Sequence, residues 1–423
     1  MLKTKSIPET VAYYFYVLLA IAPIYSMLVE KAIGKGIGPA FLFPTLLTFI
    51  LLWYQRGVLR VPKYVWFYGL FVLYTIVSDF YLAGIQLDNQ FFRKHLGIAG
   101  FLAFIIIENV NLEKKQYSNL IRISFGIIVL AFFVQILQQA ISPSFLAKTS
   151  ESTDLNSGID GVRLESIYTW GERITYFGLS FFPVLAVLVD LEFKNSSKNA
   201  YLLLFYGFVC ALLNKSRFIL LNFFMVLVLI PMNVKINMKT VARLSLIVSL
   251  IIGGFLVAAP VIGFDTEKFV NERLLEKNRS FQSSGAGTRL LAVKIFDKLF
   301  YKNKVWGKGN LHSIRIKGQN ESRDVELVRA LHGRSSQIHV GYLSLFYYYG
   351  YVGGGIYMLF LILLTLSLYR DARETKVYGG LLGWSMFLIS NLTLVFFDIF
   401  NMGILLVLIF NKAILNKLVD LHE

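Results

Sequence analysis

The sequence predicts an all-α fold, a polytopic membrane helix bundle with about twelve transmembrane helices and a large outward, helical loop. Three observations predict it. Hydrophobic residues fill 56% of the 423 positions and charged residues only 16%, where a soluble domain carries roughly a quarter charged; mean hydropathy is +0.60. Apolar runs of span length, roughly 20 residues each, follow one another with short polar breaks between them. Lysine and arginine gather in alternate breaks, as they do in loops kept on the cytoplasmic side. The 37 Phe and 23 Tyr fit the same environment, because amphipathic rings favour headgroup depth.

Taken in order, helices are expected near 11–29, 38–55, 63–84, 95–110, 120–141, 174–192, 200–214, 217–232, 241–263, 340–369, 378–396 and 400–416. The first follows Lys3 and Lys5 and lacks a small-residue cleavage site, so it reads as a retained helix entered from the cytoplasm. The inward breaks then carry Arg56, Arg60 and Lys63; Lys114, Lys115 and Arg122; Lys194 and Lys198; Lys235, Lys239 and Arg243; and Arg370, Arg373 and Lys376. The seventh and eighth segments are short, and a single long helix across Asn214–Arg217 is the alternative. Merging them would put both the Lys235–Arg243 and Arg370–Lys376 clusters outside, so charge favours the split.

The organisation is then nine helices in 1–263 with an outward loop at 142–173, a large outward loop at 264–338, and three helices in 339–423. The first loop is polar and ends in a run of charged and aromatic residues. The second holds fifteen Lys and Arg against eight Asp and Glu, which the charge rule tolerates because long loops translocate regardless. Within it, Thr288–Leu299 (TRLLAVKIFDKL) has helical apolar spacing and predicts an amphipathic helix on the membrane or on the bundle.

Several chemistries are excluded. Cys210 is the single cysteine, so neither an intramolecular disulfide nor a cysteine metal site can form. The five histidines show no paired metal-ligand spacing. No metal or cofactor is expected, and no nucleic-acid partner.

Three outward elements carry candidate chemistry. In Asn214-Lys215-Ser216-Arg217 two cations sit at a turn between apolar helices, where a charge is costly unless it meets water or a ligand. In Gly285-Ala286-Gly287-Thr288-Arg289 a glycine turn precedes a helix whose first turn holds an arginine; backbone N–H groups and a guanidinium fork suit phosphate. In Ser335-Ser336-Gln337-Ile338-His339 a histidine stands before the tenth helix, able to donate to phosphate or act as a base. The topology puts all three on one face, which suits an anionic, membrane-anchored ligand such as a polyprenyl pyrophosphate.

At these residues the sequence resembles the bacterial O-antigen polymerase and ligase superfamily. The matched elements, in order, are Ser216-Arg217 opening a helix, Arg289 in TRLLAVKIFDKL, the turn Trp306-Gly307-Lys308-Gly309, and His339 ahead of the glycine-rich YYYGYVGGGIYM. They span about the C-terminal half. Relatives often show Asn after the histidine; here Val340 stands there, leaving that role vacant or to Gln337.

The resemblance implies polymerisation of undecaprenyl-pyrophosphate-linked repeat units into O-antigen or capsule by inverting, metal-independent glycosyl transfer. The site would face outward from the bacterial cytoplasmic (inner) membrane. It implies lipid-linked glycan as both donor and acceptor, with a chain-length regulator and a flippase as partners. Arg217 and Arg289 would hold the pyrophosphate, with Lys215 as a secondary contact. His339 would be either a third pyrophosphate donor or the base, with His312 and His332 as rivals. Arg163, Tyr168, Trp170 and Arg173 would touch sugar, and Glu165 and Glu172 are alternative bases. Asp79 and Asp398 are weaker candidates. A ligase transferring glycan to lipid A core is the alternative, and a lipid-linked-sugar flippase is the alternative from another class.

Overall fold

A computed structural model of the chain describes residues 7–33, 38–83, 97–142, 145, 164, 166–168, 177–214, 216–234, 293, 296, 300, 304–307, 309, 340–392 and 402–416. Among the described residues the chain is helical and contains no strand. The helices are α1 (Ile7–Ile33), α2 (Gly38–Arg56), α3 (Lys63–Ala83), α4 (Gly97–Asn109), α5 (Lys114–Ala140), α6 (Phe182–Asn195), α7 (Ser197–Leu213), α8 (Arg217–Leu227), α9 (Leu229–Asn233), α10 (Gly341–Thr375), α11 (Gly379–Ser390) and α12 (Met402–Leu415). A 3₁₀ turn at Ser166–Tyr168 and a π turn at Phe177–Phe181 lie between α5 and α6. Each expected segment coincides with helix except 241–263, which lies outside the described residues.

Two boundaries differ from expectation. Helix α5 begins at Lys114, so Lys114, Lys115 and Arg122 are helical rather than in a loop. The cause is a capping box: the Gln116 side chain accepts from the Glu113 backbone N–H at 3.0 Å and starts the helix early. Helix α10 likewise runs on through Arg370 and Arg373, ending where Lys376 turns left-handed at φ 58°.

Lys63–Tyr81, Lys114–Ala140 and Gly341–Thr375 are long and apolar enough to cross a membrane, and shorter apolar helices accompany them. The bundle also exposes a broad apolar surface on several helices, with Phe43, Ile50, Leu73, Phe133, Phe224 and Ile362 all outward. Soluble monomers rarely expose so much contiguous hydrocarbon.

The centre of the bundle is α6. Its residues Phe182 to Leu191 are buried in unbroken succession, as a helix apolar on every side must be. Helix α11 reaches its backbone through glycines. A Cβ at Gly379 would stand 2.7 Å from the Ala186 carbonyl oxygen, and one at Gly383 3.0 Å from that of Pro183. This Gly379-x-x-x-Gly383 spacing puts both on one helix face, the small-residue packing that lets helices approach closely in lipid.

Helices α7 and α8 are separate and fold back on each other. Phe208 and Phe223 meet with ring centroids 5.5 Å apart, so the chain reverses between them at Asn214–Arg217.

Polar contacts divide the bundle into two ends. At one, Lys412 donates to Glu108 at 2.9 Å, the Arg60 backbone N–H to Asn109 at 2.8 Å, and Arg56 to Glu9 at 3.5 Å. Asp190 lies at this end too, accepting from the backbone N–H groups of Tyr378 and Gly379 at 2.5 and 2.7 Å and from Asn233 at 2.7 Å. The opposite end carries the α7–α8 turn.

Candidate functional site

The α7–α8 turn is shaped by Ser216, whose extended backbone (φ −114°, ψ 127°) breaks the helix between Leu213 and Arg217. Asn214 and Ser216 are buried beside it. Arg217, the first residue of α8, is exposed. The break therefore leaves a guanidinium at the start of a helix, where anion binding is favoured by the unpaired N–H groups and the dipole.

Beneath this turn the base of the 142–173 loop folds into the bundle. The Leu164 carbonyl accepts from Gln135 Nε2 at 2.7 Å and from Asn214 Nδ2 at 3.0 Å. Gln138 Oε1 accepts from the Ser166 N–H at 2.9 Å, while its Nε2 donates to the Ser166 and Phe145 carbonyls at 3.2 and 3.0 Å. Ser166 Oγ donates to the Ala131 carbonyl at 2.5 Å, with the Ser166 backbone in the left-handed region at φ 57°. Gln135 and Gln138 are both fully buried, one helical turn apart on α5. Two side-chain amides thus clamp a loop that has no regular partner of its own.

Tyr168, expected as a sugar contact, lies in this infolded base. Tyr168 is 7% exposed and its ring stands edge-on to Phe181, 5.9 Å between centroids. Burial pushes its phenol well above the ordinary value, so it stays neutral. It packs the base of the loop into the bundle and lines a small cavity there with Ser180 and Leu406.

Four buried amide oxygens find no partner among the described residues: Asn233 Oδ1 and, on α5, α7–α8 and α8, Gln135 Oε1, Asn214 Oδ1 and Asn222 Oδ1. Leaving a buried acceptor unpaired costs about 1–3 kcal/mol, so a donor such as water or a hydroxyl belongs there.

The second matched region converges on α10. At Gly350 the helix breaks (φ 62°, ψ −166°), and residues 304–307 with Gly309 seat in the bend. The Tyr351 N–H donates to the Lys304 carbonyl at 2.7 Å, Val352 to Val305 at 3.2 Å, and Gly309 to Tyr348 at 2.8 Å. Tyr74 of α3 donates to the Trp306 carbonyl at 2.7 Å. Gly307 (φ 78°) and Gly350 interlock: a Cβ on Gly307 would overlap the Tyr348 carbonyl, and one on Gly350 that of Val305. Two motifs more than forty residues apart in sequence therefore form one backbone junction.

Three described residues in or next to the expected amphipathic segment lie near it. Val293, Phe296 and Phe300 are helical. Val293 is exposed, whereas Phe296 stacks on Phe300 at 4.8 Å and Phe300 meets Tyr351 edge-on at 5.0 Å. Phe300 thus rests on the bundle at Tyr351.

Lys215, Arg163, Glu165, Trp170, Glu172, Arg173, Arg289, Gln337 and His339 lie outside the described residues, as do His312, His332 and Asp398. Asp79 is buried in α3. Sequence reasoning missed Gln135 and Gln138, whose signal was the polar run Gln135-Ile-Leu-Gln138-Gln139 inside an apolar helix. No group of three or more His, Cys, Asp or Glu that could hold a metal occurs among the described residues. A scan against protein-family models finds no match, and a search of curated proteins finds none.

Proposed function

We propose that this chain is a membrane glycosyltransferase that polymerises undecaprenyl-pyrophosphate-linked repeat units, an O-antigen-polymerase-like enzyme. In this reading twelve helices cross the bacterial inner membrane and the Arg217 end faces outward. The positive-inside rule supports that orientation, because Arg56, Arg60, Lys114, Lys194, Arg370 and Arg373 gather toward the Glu108 end.

One observation carries the reading. The exposed Arg217 at the α7–α8 turn lies three residues from Asn214, which holds the infolded base of the 142–173 loop. This supports the reading, since a cation suited to pyrophosphate stands beside the base of a loop whose sequence carries the candidate sugar contacts. The junction at Gly350 supports the same reading, since it ties the 264–338 loop, bearing Arg289 and leading to His339, to α10 at that end. Departure of the pyrophosphate develops negative charge, and fixed guanidinium groups stabilise it without a metal. The acceptor hydroxyl attacks the anomeric carbon; its proton goes to His339, Glu165 or Glu172.

The test uses purified protein in liposomes carrying outward-facing lipid-linked repeat units. Chain growth is expected without other proteins. Arg217→Ala should lower the rate by about 10²–10³-fold, and Arg217→Lys should recover little, because a single ammonium cannot replace a bidentate fork. Transfer only to added lipid A core would make it a ligase, and transbilayer movement without growth a flippase. An unaffected Arg217→Ala variant would remove Arg217 from the site.

A further inference from the structure

At the end opposite Arg217, α3, α4, α10 and α12 enclose a cavity of about 110 Å³. Its lining includes two exposed arginines, Arg60 and Arg370, together with Glu108, Asp371, Asn411 and Lys412. Glu108 is satisfied there: Tyr64 donates to it at 2.6 Å and Lys412 at 2.9 Å, so that carboxylate and ammonium neutralise each other. Asp371 differs. One of its oxygens accepts from Asn411 at 2.9 Å, while its nearest cation among the described residues is Arg370 at 4.0 Å, on a side chain 71% exposed. An ion pair that loose and that wet contributes little. The cavity thus brings an undercompensated carboxylate and two exposed cations into one lining. Leucine and isoleucine side chains complete its walls.

We propose that this cavity binds a phosphoethanolamine headgroup. Its ammonium enters to meet Asp371, and its phosphodiester remains between Arg60 and Arg370. The order of charges selects this chemistry. A purely anionic headgroup gains the arginines but brings nothing to Asp371. A choline headgroup brings a cation that has no N–H to donate and is larger by three methyl groups. Basic pockets between helices at a membrane surface are where lipid headgroups dock, and the apolar outer faces of α3 and α10 leave room for acyl chains beside the cavity. The inference is independent of the catalytic reading, requiring only that this end lie at a bilayer surface.

The experiment measures lipid binding to the purified full-length protein in detergent by native mass spectrometry, with unfolding temperature as a second readout. Phosphatidylethanolamine is expected to bind about tenfold more tightly than phosphatidylcholine, the worth of one charge-assisted hydrogen bond. Its N-methyl and N,N-dimethyl derivatives should fall stepwise between them. Asp371→Asn should abolish that ranking while leaving phosphatidylglycerol binding unchanged. The double variant Arg60→Ala, Arg370→Ala should weaken phosphatidylethanolamine and phosphatidylglycerol alike. Soluble glycerophosphoethanolamine separates the sources: protection by it at equal concentration points to a free ligand, protection by the lipid alone to the bilayer. Equal binding across the N-methyl series on the wild-type protein would overturn the proposal, even if Asp371→Asn fails to fold.

Discussion

The two ends of the bundle are fastened by different means. At the Glu108 end, side chains of distant helices meet one another or cap a helix: Lys412 with Glu108, Asn411 with Asp371, and Asp190 with the start of α11. At the Arg217 end, side-chain amides bond to loop carbonyls and backbone pairs with backbone across a helix bend. The first arrangement fixes helices against helices. The second fixes loops, which offer no regular face and can be gripped only through their peptide groups. The end that holds loops is also the one that leaves a cation, Arg217, exposed. A bundle can thus fix helices at one end and hold the bases of loops in place at the other.

If that division is right, damage at each end should have a different signature. The largest effect is expected from Gly350→Val. It forces a branched side chain into φ 62° and against the Val305 carbonyl. The left-handed conformation costs about 1–2 kcal/mol and overpacking about 1–3 more. The 304–309 turn should leave the bend, seen as faster limited proteolysis of 264–338, and chain growth in liposomes should be lost. Gly307→Ala should show the same pattern more weakly. Intact protease resistance in Gly350→Val would break the comparison at this end.

Asp190→Ala should rank next and should act on stability. It removes an acceptor shared by two backbone N–H groups and Asn233, each bond to a charged acceptor being worth about 1.5–3 kcal/mol. Losses in a membrane fall toward the low end of that range, because the unfolded segment also finds partners. A net fall of about 2–3 kcal/mol in unfolding free energy is expected. Turnover of the folded fraction should be unchanged, measured by normalising activity to the protein that survives size-exclusion chromatography.

Which parts were legible in the sequence follows from the same division. The helices were, because each apolar run must be long and must end in polar residues. The α7–α8 reversal was legible because loop charge alone decided it. Helix α5 was started six residues too late, since the capping box at Glu113 and Gln116 begins the helix ahead of the apolar pattern. The Gly307–Gly350 junction was visible only as two separate motifs; neither glycine announces which carbonyl it must approach. The burial of Tyr168 was illegible for a related reason. An aromatic in a polar loop reads as exposed, and the Gln135, Gln138 and Asn214 amides, far away in sequence, pull the base of that loop inward.

Those amides offer the finest test of how the loop end is held. Gln135→Leu keeps nearly the same volume but removes the donor to the Leu164 and Cys210 carbonyls. Leu164 retains Asn214, so it is not orphaned, and the unpaired Gln135 Oε1 disappears with the substitution. The loss and the relief offset each other in part, and a stability change within about 1 kcal/mol is expected. Gln138→Leu has no such relief. Its Oε1 and Nε2 both bond to Ser166, and no other described side chain replaces them. It should cost about 1–3 kcal/mol locally, release the 164–168 segment and raise its amide exchange, while helices at the Glu108 end keep their protection. Hydrogen exchange on the two variants in detergent separates these outcomes. Equal loosening by both would mean that the segment is held by packing around Tyr168 rather than by the amide clamp.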